Sequence, residues 1–99
     1  MDDWSDLKEY LDTDGRLTLW PSARNKKKQQ YRALEYLASK FAFNHDYTER
    51  EVNELLNRWH TFEDPAMLRR ELIVERYLDR VKDGTRYWRI AVEGFEGGQ

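Results

Sequence analysis

Cysteine is absent from this 99-residue chain, proline occurs twice and glycine five times. Without cysteine there are no disulfides and no thiolate metal sites, which fits a reducing, cytoplasmic setting. Long apolar runs are missing as well, so no segment reads as a membrane span and no membrane partner is expected. The acidic start Met1-Asp2-Asp3 lacks the basic-then-apolar order of a signal peptide. No glycine-rich phosphate loop and no nucleophile motif occurs. Glu49 with Glu51, and Glu63 with Asp64, are accounted for by helix capping and solvation. The only histidines, His45 and His60, stand 15 residues apart without a third convergent ligand. His60 reads as closing a helix, where a cation is favoured, rather than as a metal ligand or an acid–base partner of Asp64. The chain is therefore expected to be no enzyme and to carry no metal or cofactor.

What is present is charge and aromatic bulk. The length makes one domain with a modest core, read as residues 1–92 with a flexible Gly- and Glu-rich tail at 93–99. Trp4, Trp20, Trp59 and Trp88 supply much buried area per residue. The net charge of -2 argues mildly against nucleic acid, but the distribution is banded. Residues 1–15 hold six acids and one base, and residues 16–40 seven bases and one acid. Residues 41–65 hold six acids and two bases, and residues 66–90 seven bases and four acids. Such bands can give an acidic protein a basic face.

Trp4, Leu7, Tyr10 and Leu11 share one face of a short amphipathic helix, with Asp2 or Asp3 as its cap. Asp14-Gly15 turns the chain into an alternating strand over 16–20, which Pro21 ends. A second helix, capped by Ser22 or Asn25, carries Tyr31, Leu34, Leu37, Ala38 and Phe41 as its apolar stripe and ends near Lys40 to Ala42. After a turn at 44–46, Thr48 and Glu51 form a capping box for a third helix that buries Val52, Leu55, Leu56 and Trp59. The segment 61–64 turns, Asp64 caps, and Pro65 opens a fourth helix that runs to about Arg76. The period then becomes two, and 78–82 and 86–91 alternate about Asp83-Gly84 as a hairpin.

Helix, turn, helix and hairpin make a winged helix-turn-helix. The expected fold is α+β and mainly helical, with a small antiparallel sheet and an extra N-terminal helix. Strand 16–20 is expected to add to the hairpin. The expected core is Tyr31, Leu34, Leu37, Phe41, Val52, Leu55, Leu56, Trp59, Leu68, Leu72, Leu78, Tyr87 and Ile90.

Four groups of residues carry a resemblance. They are Asp14-Gly15-Arg16-Leu17 with Trp20-Pro21 and a Lys-rich helix start, and Tyr47-Thr48-Glu49 with Glu51-Val52-Asn53. The others are Trp59-His60 with Leu68-Arg69-Arg70-Glu71-Leu72, and Asp83-Gly84 with Tyr87-Trp88-Arg89. Over residues 11 to 90 the chain resembles the prokaryotic domain-of-unknown-function family number two thousand eighty-seven. The resemblance implies a winged-helix-like fold and a link to transcription, since members occur alone or attached to helix-turn-helix regulators. It assigns no activity and no site. It also implies a glycine where the fourth helix ends, and Arg76-Tyr77 stands there instead. That departure leaves the length of the helix open by about a turn.

The candidate contacts are basic. Lys26, Lys27 and Lys28 open a helix, where ammonium groups are unfavourable unless an anion relieves them; a solvated cluster is the plainer reading. On the fourth helix, Leu68 and Leu72 point inward and Arg70 outward, toward a partner. Arg69 lies at the flank, either to read a base or to pair with Glu35 or Glu71. Arg80, Lys82 and one of Arg86 or Arg89 face solvent on the hairpin, as phosphate contacts or as charges that protect an edge strand. Met67, Ile73 and Val74 flank Arg70 and are unusual for a DNA reader. They mark a protein interface, unless the N-terminal helix covers them. The leading expectation is DNA binding in transcriptional regulation, with the fourth helix in the major groove presenting Arg70, Arg69 and Met67. The alternative is a protein-interaction module, a homodimer or a regulatory partner, on the same scaffold.

Overall fold

Burial follows the apolar spacing of the sequence and then departs from it where the N-terminal segment lands. The computed structural model describes residues 3–22 and 24–91; the expected tail at 93–99 and a cap at Asp2 lie outside the described residues. The order of elements is a 3-10 helix at Ser5–Tyr10, α1 at Lys27–Ala38, α2 at Glu49–Trp59, α3 at Pro65–Val74, then β1 at Leu78–Arg80 and β2 at Tyr87–Arg89. The protein is α+β and mainly helical, with a two-stranded antiparallel sheet. Among the described residues no helix is long and apolar enough to cross a membrane.

The capping chemistry of α2 and α3 is as the sequence predicts. Thr48 Oγ1 accepts from the Glu51 N–H at 3.1 Å, and the Glu51 carboxylate accepts from the Thr48 N–H at 2.8 Å. Asp64 caps α3 by accepting from the Met67 N–H at 3.1 Å, and Pro65 occupies the first turn. Helix α1 differs. Its N-cap is Lys26, with no side-chain hydrogen bond, so neither Ser22 nor Asn25 caps it. It also ends a turn early, at Ala38.

Leu34, Leu37, Phe41, Val52, Leu56, Leu68, Leu72, Leu78 and Tyr87 are buried as expected, while Leu55, Trp59 and Ile90 are half-buried. Tyr31 is the misplaced member, 41% exposed with Lys27 lying over its ring. The cause is the N-terminal segment, which packs on the other flank of α1. Leu7 and Tyr10 are buried there, Trp4 meets Tyr36 edge to face at 5.1 Å, and Tyr36 meets Trp59 at 6.5 Å. The Tyr36 hydroxyl donates to the Gly15 carbonyl at 2.5 Å. The flank carrying Tyr36, Ala33 and Ala38 is thus the buried one, and Tyr31 is turned out.

The strand expected at 16–20 does not join the hairpin. Leu17 bridges Leu11 on one side and His60 on the other, and Leu19 is 51% exposed. The third partner of the hairpin is instead Tyr47, just before α2, which exchanges two 2.8 Å backbone hydrogen bonds with Tyr87. Residues 16–20 do not form a strand: alternation there reflects a single buried residue, Leu17, which makes isolated bridges only. His60 is buried rather than standing at an open helix end. Its Nδ1 bonds the Leu56 carbonyl at 2.6 Å and its Nε2 accepts from the Asp64 N–H at 2.9 Å, so its ring holds the turn between α2 and α3.

Candidate functional site

Helix α3 and the hairpin face one another across a cleft, and each wall is fixed from behind. Leu68 and Leu72 are completely buried and anchor α3, which leaves Arg70 exposed and Val74 66% exposed. Leu78 and Tyr87 anchor the hairpin in the register Leu78–Arg89, Asp79–Trp88 and Arg80–Tyr87. At its tip, the Asp83 carboxylate accepts from the Thr85 hydroxyl at 2.7 Å and the Thr85 N–H at 3.1 Å. Those two bonds hold the carboxyl below its ordinary range. Gly84 has φ +76, which a side chain rarely tolerates, and a Cβ there would lie 3.6 Å from Glu49 Oε1. The tip therefore reaches back over the start of α2.

The cleft has a volume of about 440 Å³. One wall is Arg69, Arg70, Ile73 and Val74 of α3, and the other is Arg80, Lys82 and the Asp83-Gly84 tip, with Glu49 and Tyr87 between them. Four cations thus face two carboxylates. The base is a polar network. Arg69 Nη1 donates to Asn53 Oδ1 at 2.5 Å, Arg69 Nη2 stands 3.6 Å from Glu49 Oε2, and the Tyr87 hydroxyl donates to Glu49 Oε1 at 3.3 Å. Burial, and then the Glu49 carboxylate, push the Tyr87 phenol above its usual range. Arg80 is spent on the hairpin, donating to the Val81 and Lys82 carbonyls at 3.3 and 3.0 Å. The Arg70 guanidinium and the Lys82 ammonium are different: neither has a partner among the described residues.

The basic residues singled out in the sequence divide accordingly. Arg69, Arg70, Arg80 and Lys82 converge on the cleft. Arg69 is held by Asn53 and Glu49 of α2, not by Glu35 or Glu71. Lys27 reaches the far end of α3, 3.8 Å from Glu75 Oε2. Lys28 is exposed and Lys26 is the half-buried N-cap, so the three lysines of the run have different surroundings. Arg86 is turned to Asp46 at 3.5 Å and to the Trp88 ring at 5.0 Å. Arg89 donates to the Phe41 carbonyl at 3.1 Å. Met67 and Ile73 pack partly against the core, while Val74 stands free of it. The N-terminal 3-10 helix does not cover them, because it sits on α1. In the sequence Glu49 is accounted for by capping and solvation, and Asn53 enters only among the residues that carry the family resemblance. Their i, i+4 spacing on the side of α2 next to Val52 and Leu56 is the signal that places both against α3.

Among the described residues no group of three or more His, Asp or Glu side chains could hold a metal ion. The family model for an uncharacterised protein conserved in bacteria, DUF2087, matches residues 16–89. The chain belongs to the DUF2087 family. No curated protein and no solved structure matches it. The matched stretch contains the whole cleft and stops short of the N-terminal segment.

Proposed function

We propose that this DUF2087 domain binds DNA on a winged-helix plan and serves transcriptional regulation. The observation that carries the reading is the pair Arg70 and Lys82, neither with a partner among the described residues, on opposite walls of the cleft between α3 and the hairpin. A cation without an internal partner contributes nothing to folding through ion pairing and stays available to a polyanion. The order α1, Tyr47 bridge, α2, turn, α3, hairpin supports the scaffold, since the bridge and the two strands occupy the places of a winged helix's three strands. In this reading α3 enters the major groove with Arg70 toward base edges. Lys82 on the hairpin takes a phosphate directly, and Arg80 and Lys27 do so by exchanging exposed contacts, with the Val81 and Lys82 carbonyls and with the Glu75 carboxylate.

The test is a titration of isotopically labelled protein with a short mixed-sequence duplex, followed by backbone amides at about 50 and about 200 mM salt. Shifts at residues 65–74 and 80–86 that fade at the higher salt are expected. Their absence at the lower salt would sink the reading. Arg70→Glu with Lys27→Glu abolishes the shifts and leaves the circular dichroism unchanged.

Val74, 66% exposed beside Ile73, favours a second reading in which the same face docks a protein or a second copy of the chain. That reading requires association that depends on protein concentration and little on salt. A strict monomer by sedimentation that also recovers no partner counts against it.

A further inference from the structure

The cleft between α3 and the hairpin has the dimensions and chemistry of a small-molecule site. Its volume of about 440 Å³ falls within the range of roughly 300–1,000 Å³ typical of ligand pockets. A DNA backbone needs only a surface of positive charge. This cleft adds an apolar strip, Ile73 and Val74, set on the same wall as Arg70 and opposite Lys82. Apolar carbon at Ile73 and Val74 beside two cations with no partner among the described residues suits a ligand that has both characters. We propose that the cleft binds a small organic anion with a compact apolar body of about one ring or a short branched chain.

The head group is a carboxylate or a phosphate. The guanidinium of Arg70 offers a planar fork that either oxyanion can accept from two donors at once. Lys82 supplies a point charge from the far wall. Arg69 adds a third donor at the base, where its Nη2 is loosely held by Glu49 at 3.6 Å. The apolar body lies along Ile73 and Val74, which gains burial that a bare anion would not provide. Glu49 itself disfavours a second negative charge at the base, so the head group belongs at the Arg70 and Lys82 end. The inference does not rest on DNA binding, and its test contains no nucleic acid.

The experiment is a two-dimensional amide titration of the whole chain with four probes: benzoate, phenyl phosphate, inorganic phosphate and benzyl alcohol. Benzoate or phenyl phosphate is expected to give saturable shifts confined to residues 69–74 and 80–87, at least about tenfold tighter than inorganic phosphate or benzyl alcohol. Whichever of the first two binds more tightly identifies the head group. Arg70→Gln with Lys82→Gln weakens that probe by about tenfold or more, and the unchanged remainder of the spectrum verifies the fold. Val74→Ser weakens the aromatic anion but not inorganic phosphate. Three outcomes overturn the proposal: no saturable shift with either aromatic anion, inorganic phosphate binding as tightly as phenyl phosphate, or benzyl alcohol binding as tightly as benzoate.

Discussion

Arg32 and Arg70 each stand on a helix beside another element of the chain, and their surroundings are opposite. Arg32 on α1 donates to both oxygens of Asp6 at 2.8 and 3.0 Å, to Glu35 at 2.6 Å and to the Asp3 carbonyl at 2.7 Å, and it lies over the Trp4 ring at 4.7 Å. Arg70 on α3 meets an open cleft and has no partner among the described residues. The N-terminal junction spends its guanidinium on folding; in the cleft Arg69 and Arg80 are held internally, and Arg70 is left over. What a basic residue is bound to therefore says more about its role than the net charge of -2. The same contrast separates the cations of the second basic band, since Arg69, Arg80 and Arg86 have internal partners while Lys82 has none among the described residues.

The comparison is broken most severely if the N-terminal segment, which precedes the family's matched residues, is only an appendage. Leu7 and Leu72 are both 0% exposed, one in that segment and one in α3. Each change to Ala should cost on the order of 2–5 kcal/mol, a large part of the stability of a small domain. Urea unfolding of both variants measures it. A cost below about 1 kcal/mol for Leu7→Ala, with the full cost for Leu72→Ala, would show that the segment unfolds independently of the body.

A smaller effect sharpens the contrast between the two arginines directly. Arg32→Ala should lower Tm by a few degrees, on the order of 5 °C for a chain of this size. Arg70→Ala should leave Tm within the scatter of neutral surface changes. The Asp6 carboxyl is held below its ordinary value of 3.8 by the Arg32 hydrogen bonds. Its contribution is present above pH 3.8 and is lost as the pH falls through the lower folded value. Thermal melts between pH 5 and about 2 should show a steeper loss in the wild type than in Arg32→Ala. Equal slopes would remove the ion pair from the account.

Where side chains act on their own backbone, the sequence was readable. Thr48 with Glu51, Asp64 with Pro65, and the Gly84 turn each satisfy local backbone groups, so their partners lie within a few residues. Where the partner is distant, the sequence misled. The flank of α1 that is buried depends on Trp4 and Leu7, some 30 residues away, and no periodicity within α1 contains that information. Pairing of the hairpin with Tyr47 instead of 16–20 is likewise a tertiary choice. The outward place of Arg70 followed from helical spacing alone, because Leu68 and Leu72 fix the rotation of α3. The cleft itself was not legible, since it needs the hairpin to fold back until Gly84 stands over Glu49.

The smallest effect concerns the end of α3, where helix and hairpin are joined. Arg76 has φ +69, the left-handed region that favours glycine. Around it the Tyr77 N–H donates to the Leu72 carbonyl at 2.9 Å and the Arg76 N–H to the Ile73 carbonyl at 3.1 Å. Those are the two bonds of a Schellman cap, formed here without the glycine that usually permits it. The cap turns the chain from α3 into β1 and so sets how the two walls of the cleft meet. Its backbone is worth its strain because two carbonyls would otherwise lack donors. Arg76 is exposed and its side chain has no partner among the described residues, so little is lost by removing it. Arg76→Gly should relieve the left-handed strain and raise stability by about 0.5–1 kcal/mol after the added chain entropy of glycine. Arg76→Ala keeps the strain and should give no such gain. Urea midpoints of the two variants decide it. A Gly variant no more stable than the Ala variant would mean that the bend is held by Leu72 and Leu78 in the core rather than by the cap.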